Sequence, residues 1–82
     1  MSVSLIAKNG DETNTSNGEW AAITAMAEAF GVIERKWNGY HDDDVFYTPD
    51  QLREMAKRAE QIGRAAPFLC MLADGGGLVG LS

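Results

Sequence analysis

Eighty-two residues, 45% of them apolar, describe one folded domain spanning 1–82, because so short a chain buries only about 60% of its unfolded surface and cannot divide that core in two. The formal charge of −5 is uneven: residues 1–50 carry nine acidic and three basic side chains, net −6, against net +1 for residues 51–82, which argues against a phosphate-backbone binder and for basic protein partners. No run of about 18 apolar residues and no basic-flanked leader occurs, so a soluble, cytoplasmic protein is expected without membrane contact, and the single Cys70 excludes an internal disulfide or a CxxC site.

"VSLIAK" alternates as a strand, with Val3, Leu5 and Ala7 on one face, and Asn9-Gly10 follows as a tight-turn pair. "DETNT" then predicts a polar return strand at a sheet edge. In "SNGEWAAITAMAEAFG", Ser16 and Glu19 stand at capping-box spacing and Gly31 at the stop. Trp20, Ile23, Ala27 and Phe30 form its core stripe, with Met26 beside them.

"VIERKWNGYHDDDVFY" reads as a hairpin closed by Asn38-Gly39, with Val45, Phe46 and Tyr47 as a short core strand; the alternative is a loop with Trp37 packed inward. "TPDQLREMAKRAEQIG" has Thr48 as N-cap, Pro49 at the first helical position, Gln51 at box spacing and Gly63 as the stop. Its buried stripe is Leu52, Met55, Ala56, Ala59 and Ile62; the outer face carries Arg53, Glu54, Lys57, Arg58, Glu60 and Gln61. "PFLCMLADGGGLVGLS" predicts a short buried helix from Pro67 to about Asp74 and Gly75, then a last strand. The order is β(β)αβαα′β. It implies a small α+β domain: a mostly antiparallel sheet covered on one face by two amphipathic helices and a short third one.

Few residues bear chemistry. Cys70, inside "PFLCML", is expected to be a buried, inert thiol rather than a nucleophile, since no base lies near it in sequence. Ser16, Thr24 and Thr48 lie in no nucleophile motif, and a catalytic His41 would need one. His41 with Asp42, Asp43 and Asp44 has metal-ligand side chains, but neighbouring residues do not converge on one ion without spaced ligands and an internal Gly. A solvated acidic loop or an acidic recognition surface explains that run better. "DGGGLVG" lacks the Lys and the following helix of a phosphate loop and reads as a helix-to-strand turn. Arg53, Lys57 and Arg64 can form a basic stripe, but Glu54 and Glu60, each four residues ahead of an Arg, are placed to pair Arg58 and Arg64. Of the two tryptophans, Trp20 belongs to the core and Trp37, beside Arg35, Lys36 and Tyr40, is the exposed aromatic anchor.

The Trp-containing helix "NGEWAAITAMAEAFG", the strand-to-helix run "YHDDDVFYTPDQLREMAKRAEQI" and the closing "FLCMLADGGGLVGL" together resemble a family of small uncharacterised bacterial proteins. The resemblance covers most of the chain, with the aspartate run standing where the pattern has a turn, and it implies no activity. In character the chain is similar to phage or mobile-element inhibitors such as anti-CRISPR proteins, which cover the basic nucleic-acid channel of a host complex.

The functional expectation is therefore a non-enzymatic protein-binding module, a monomer or a homodimer through a sheet edge, needing no cofactor and no metal. Asp42, Asp43, Asp44, Asp11 and Glu12 would face Lys and Arg of a host protein, with Trp37 or Tyr40 adding apolar contact. A rival binding mode uses Arg53, Lys57 and Arg58. The alternative of another class is a metal- or ligand-binding protein with hydrolytic activity at His41.

Overall fold

A computed structural model describes residues 1–39 and 46–82; Tyr40, His41, Asp42, Asp43, Asp44 and Val45 lie outside the described residues, and with them one arm of the expected hairpin. The chain runs β1 (Ser2–Ala7), β2 (Glu12–Ser16), α1 (Asn17–Ala29), α2 (Pro49–Gln61), α3 (Pro67–Asp74) and β3 (Leu78–Leu81). The expected α+β architecture is the observed one: an antiparallel sheet in the order β2-β1-β3 with three helices.

Alternation along β1 settles which face is covered. Val3, Leu5 and Ala7 are buried, and opposite them Leu78 and Leu81 of β3 are buried as well. Ser2, Ser4 and Ile6 point to the other face, beside Ser16, Asn14 and Glu12 of β2. That face is polar apart from Ile6 and carries no helix core. Helices contribute Trp20, Ile23 and Ala27 from α1, Leu52 and Met55 from α2, and Leu69, Leu72 and Ala73 from α3 to one cluster with the sheet. Of the three helices, α2 packs chiefly on α3.

Local chemistry accounts for the helix boundaries. Ser16 Oγ accepts from the Glu19 amide at 3.1 Å, but Glu19 does not close the expected box; its carboxylate instead takes Arg64 Nη1 at 3.0 Å. At α2 the box is complete, with Thr48 Oγ1 accepting from the Gln51 amide and Gln51 Oε1 from the Thr48 amide. All three helices end alike: the Val32, Arg64 and Gly77 amides donate back to the Ala27, Ala59 and Leu72 carbonyls, respectively, in the six-to-one pattern, each around a glycine of positive φ.

The glycine run after α3 also solves a crowding problem. A Cβ on Gly75 would stand 2.8 Å from Ala7 Cβ, and one on Gly77 2.7 Å from the Tyr47 carbonyl oxygen. The run crosses the β1–β2 turn closely enough for Lys8 and Asn9 amides to donate to the Gly77 and Gly75 carbonyls.

Four sequence expectations need correction. Phe30 and Ile62 are not core but about half exposed, at 52% and 50%. Each is the C-cap residue of its helix, where the stripe has run past the core, and the Arg58 guanidinium lies 4.7 Å from the Phe30 ring centroid. No strand forms over residues 32–37, and beyond Phe46, which is 71% exposed, Tyr47 makes only a single bridge to Leu78. Cys70 is exposed rather than buried, because α3 turns Leu69, Leu72 and Ala73 inward and leaves Cys70 on the far side. Arg64 pairs with Glu19, 45 residues away, instead of Glu60.

Candidate functional site

Among the described residues, those flanking α1 and α2 in the chain line a concavity. Residues 32–37 form no regular structure, so their backbone groups need partners from elsewhere. Thr24, a fully buried polar residue on α1, supplies one: its Oγ1 donates to the Trp20 carbonyl at 3.0 Å and accepts the Trp37 amide at 2.9 Å. Glu28 supplies another by accepting the Lys36 amide on Oε2 at 2.8 Å. From α2, Gln51 Nε2 donates to the Val32 carbonyl at 3.3 Å while its Oε1 completes the helix cap. Ile33, buried beneath the loop, joins the core cluster.

The tethered loop, the approach to α2 and the end of β3 enclose a cleft of about 520 Å³. Trp37, Phe46 and Tyr47 provide its aromatic wall, Ile33 and Leu81 its apolar floor, and Glu34, Arg35 and Lys36 its exposed charged rim. Tyr47 also stacks obliquely on buried Trp20, with ring centroids 6.1 Å apart, and burial pushes its phenol above the ordinary tyrosine range. Trp37 is half-buried and packed against the core, which follows the inward-packed alternative rather than the fully exposed anchor.

Asp42, Asp43, Asp44, Tyr40 and His41 lie outside the described residues, but the chain leaves the described part just after Trp37 and Asn38 and returns at Phe46 and Tyr47, all four of them cleft residues. Asp11 and Glu12 are exposed at the β1–β2 turn; Asn9 Oδ1 accepts the Asp11 amide at 2.9 Å and Asn9 Nδ2 donates to the Asp11 carboxylate at 3.2 Å. Thr24, Glu28 and Gln51, which build the cleft, were not singled out as site residues from the sequence. Only the cap spacing of Gln51 gave any signal.

Some of the basic side chains on and just after α2 are paired, although Lys57 makes no ion pair among the described residues. Arg58 pairs with Glu54 at 3.0 Å, Arg64 with Glu19 at 3.0 Å, and Arg53 lies 3.8 Å from Asp50 and 3.7 Å from Asp74. Among the described residues, no three His, Cys, Asp or Glu side chains gather as a metal site, and no helix is long and apolar enough to cross a membrane. Comparison with protein families, curated proteins and solved structures finds no match to this chain.

Proposed function

We propose that this chain is a non-enzymatic protein-binding module whose aspartate run docks on a basic surface of a partner. The observation that carries the reading is the flanking of that run: Phe46, 71% exposed, stands two residues after Asp44, and half-buried Trp37 stands five before Asp42, both on one cleft. Aromatic side chains beside desolvated charge supply most of the energy of protein interfaces, and the acid fixes orientation and accelerates encounter. A large apolar side chain left outside the core two residues after three aspartates in sequence suits that division of labour. The partner surface that fits is one rich in Lys and Arg, as on nucleic-acid-binding complexes, and occupying it would exclude the nucleic acid. The reading is then of an inhibitor similar in character to those of phages and mobile elements.

The test is affinity capture from the native host with wild-type chain and the variant Asp42→Asn, Asp43→Asn, Asp44→Asn, followed by association kinetics on the recovered partner across a salt series. Wild type should bind faster at low salt, and the triple variant should bind slowly with a flattened salt dependence. Equal rates and equal salt slopes for the two proteins would overturn the proposal. Charge reversal at Arg53, Lys57 and Arg58 should not weaken binding, since it makes the chain more acidic still, and loss of binding there would transfer the site to α2.

A further inference from the structure

We propose that the free edge of β2 pairs with β2 of a second copy about Asn14, joining two three-stranded sheets into one of six strands. Ser4 exchanges both backbone hydrogen bonds with Ser82, N to O at 2.8 Å and O to N at 2.9 Å, which turns the backbone groups of Ser4 toward β3. By alternation Val3 and Leu5 face β2, where they meet Thr15 and Thr13. Thr13 and Thr15 therefore spend their amides and carbonyls inside the sheet. The N–H and C=O of Glu12 and Asn14, and the N–H of Ser16, point outward from the edge, and no described residue takes them.

The opposite edge differs, because Tyr47 already exchanges both backbone hydrogen bonds with Leu78 at 3.0 Å. Edges are kept single by Pro, a bulge, charge or shortness, and β2, "ETNTS", is short but has no Pro, Lys or bulge and a single charged side chain, Glu12. Its sequence is instead self-complementary. A two-fold axis through an Asn14–Asn14 pair sets Glu12 opposite Ser16 and Thr13 opposite Thr15, so neither acidic side chain faces another, and the outward amides of Asn14 and Ser16 meet the Asn14 and Glu12 carbonyls of the second copy, while the Ser16 carbonyl stays with α1. Thr–Thr and polar cross-strand pairs of this kind are favourable. The contact is narrower than a standard interface of about 1,600 Å², so the dimer is weak and concentration-dependent. The net charge of −5 on each copy opposes it, and added salt strengthens it. That salt response is opposite in sign to the one expected for a basic partner.

Sedimentation across a concentration series tests the pairing. The apparent mass should rise from 8.9 kDa toward twice that value, more readily at high salt. Asn14→Lys, which sets two ammonium groups face to face at an exposed position, should hold the protein at one chain, whereas Glu12→Lys, facing Ser16, should still dimerise. In wild type, amide exchange at Asn14 and Ser16 should slow with concentration while Thr13 and Thr15 stay constant, a readout that needs no variant. A wild-type mass that never leaves one chain, a dimer that survives Asn14→Lys, or exchange at Asn14 that ignores concentration would each overturn the proposal.

Discussion

The Trp37 amide donates to Thr24 Oγ1 at 2.9 Å, so a hydroxyl buried in α1 holds a loop residue 13 positions further along the chain. The same hydroxyl satisfies its own proton on the Trp20 carbonyl. One small side chain thereby fixes the aromatic wall of the cleft to the helix that carries the central core tryptophan.

Replacing Thr24 by Val keeps the shape but leaves the part-buried Trp37 amide without its acceptor. The expected loss is about 1–3 kcal/mol in urea unfolding. Thr24→Ser, which keeps the hydroxyl, should recover most of it. Equal stability of the Val and Ser variants would show that the hydrogen bond contributes nothing and that the loop is held by Ile33 and its packing.

Gly77 carries φ +114°, and a Cβ there would sit 2.7 Å from the Tyr47 carbonyl oxygen. Gly77→Ala should destabilise the protein by at least about 1–3 kcal/mol, since strained backbone and a backbone clash add together. Gly10→Ala, with φ +95° but nothing near the added carbon, should cost only the conformational part. Thermal melts of the two variants separate strain from crowding, and identical melting temperatures would refute the close approach.

Elements whose signals are local were legible in the sequence. Ser16, Thr48, Pro49 and the glycines at 31 and 63 stand where caps and stops require them, and the alternation of Val3, Leu5 and Ala7 already identified the covered face of β1. What failed depended on where the core ends or on contacts distant in sequence. The helical stripes were carried one residue too far, onto Phe30 and Ile62. In α3 nearly every residue is apolar, so periodicity could not choose between Cys70 and its neighbours; burial of Leu69, Leu72 and Ala73 makes the choice. The inward packing of Trp37 rests on Thr24, whose helical position gives no hint of a partner beyond α1.

The exposure of Cys70 gives a direct test of that phase. An aromatic disulfide reagent should label the native protein at close to the rate for the denatured chain, because no packing must open first. Labelling slowed a hundredfold or more in the native state would restore the buried thiol and rotate α3.

Tyr47 makes stability sensitive to alkali. Burial raises its folded-state pKa, so the folded protein holds the phenol proton more tightly than the unfolded chain. Its contribution is complete below the unfolded value of about 10 and is lost as pH rises through the higher folded value. Unfolding free energy measured between pH 8 and pH 11 should therefore fall at the alkaline end, and more steeply for wild type than for Tyr47→Phe. Parallel curves for the two proteins would place the phenol in water.

Phe46 separates folding from recognition. At 71% exposure it gives little to the core, so Phe46→Ser should change stability by no more than about 0.5 kcal/mol. Trp37 in the same aromatic wall is packed against the core cluster, and Trp37→Ala should cost up to about 3–5 kcal/mol. If Phe46 anchors a partner, its removal should weaken binding severalfold, mainly by faster dissociation, while neutralising Asp42, Asp43 and Asp44 should act mainly on association. The two changes therefore leave different kinetic signatures on proteins of equal stability. A Phe46→Ser chain that binds its captured partner with an unaltered dissociation rate would remove the cleft from the interface and leave the acid to act alone.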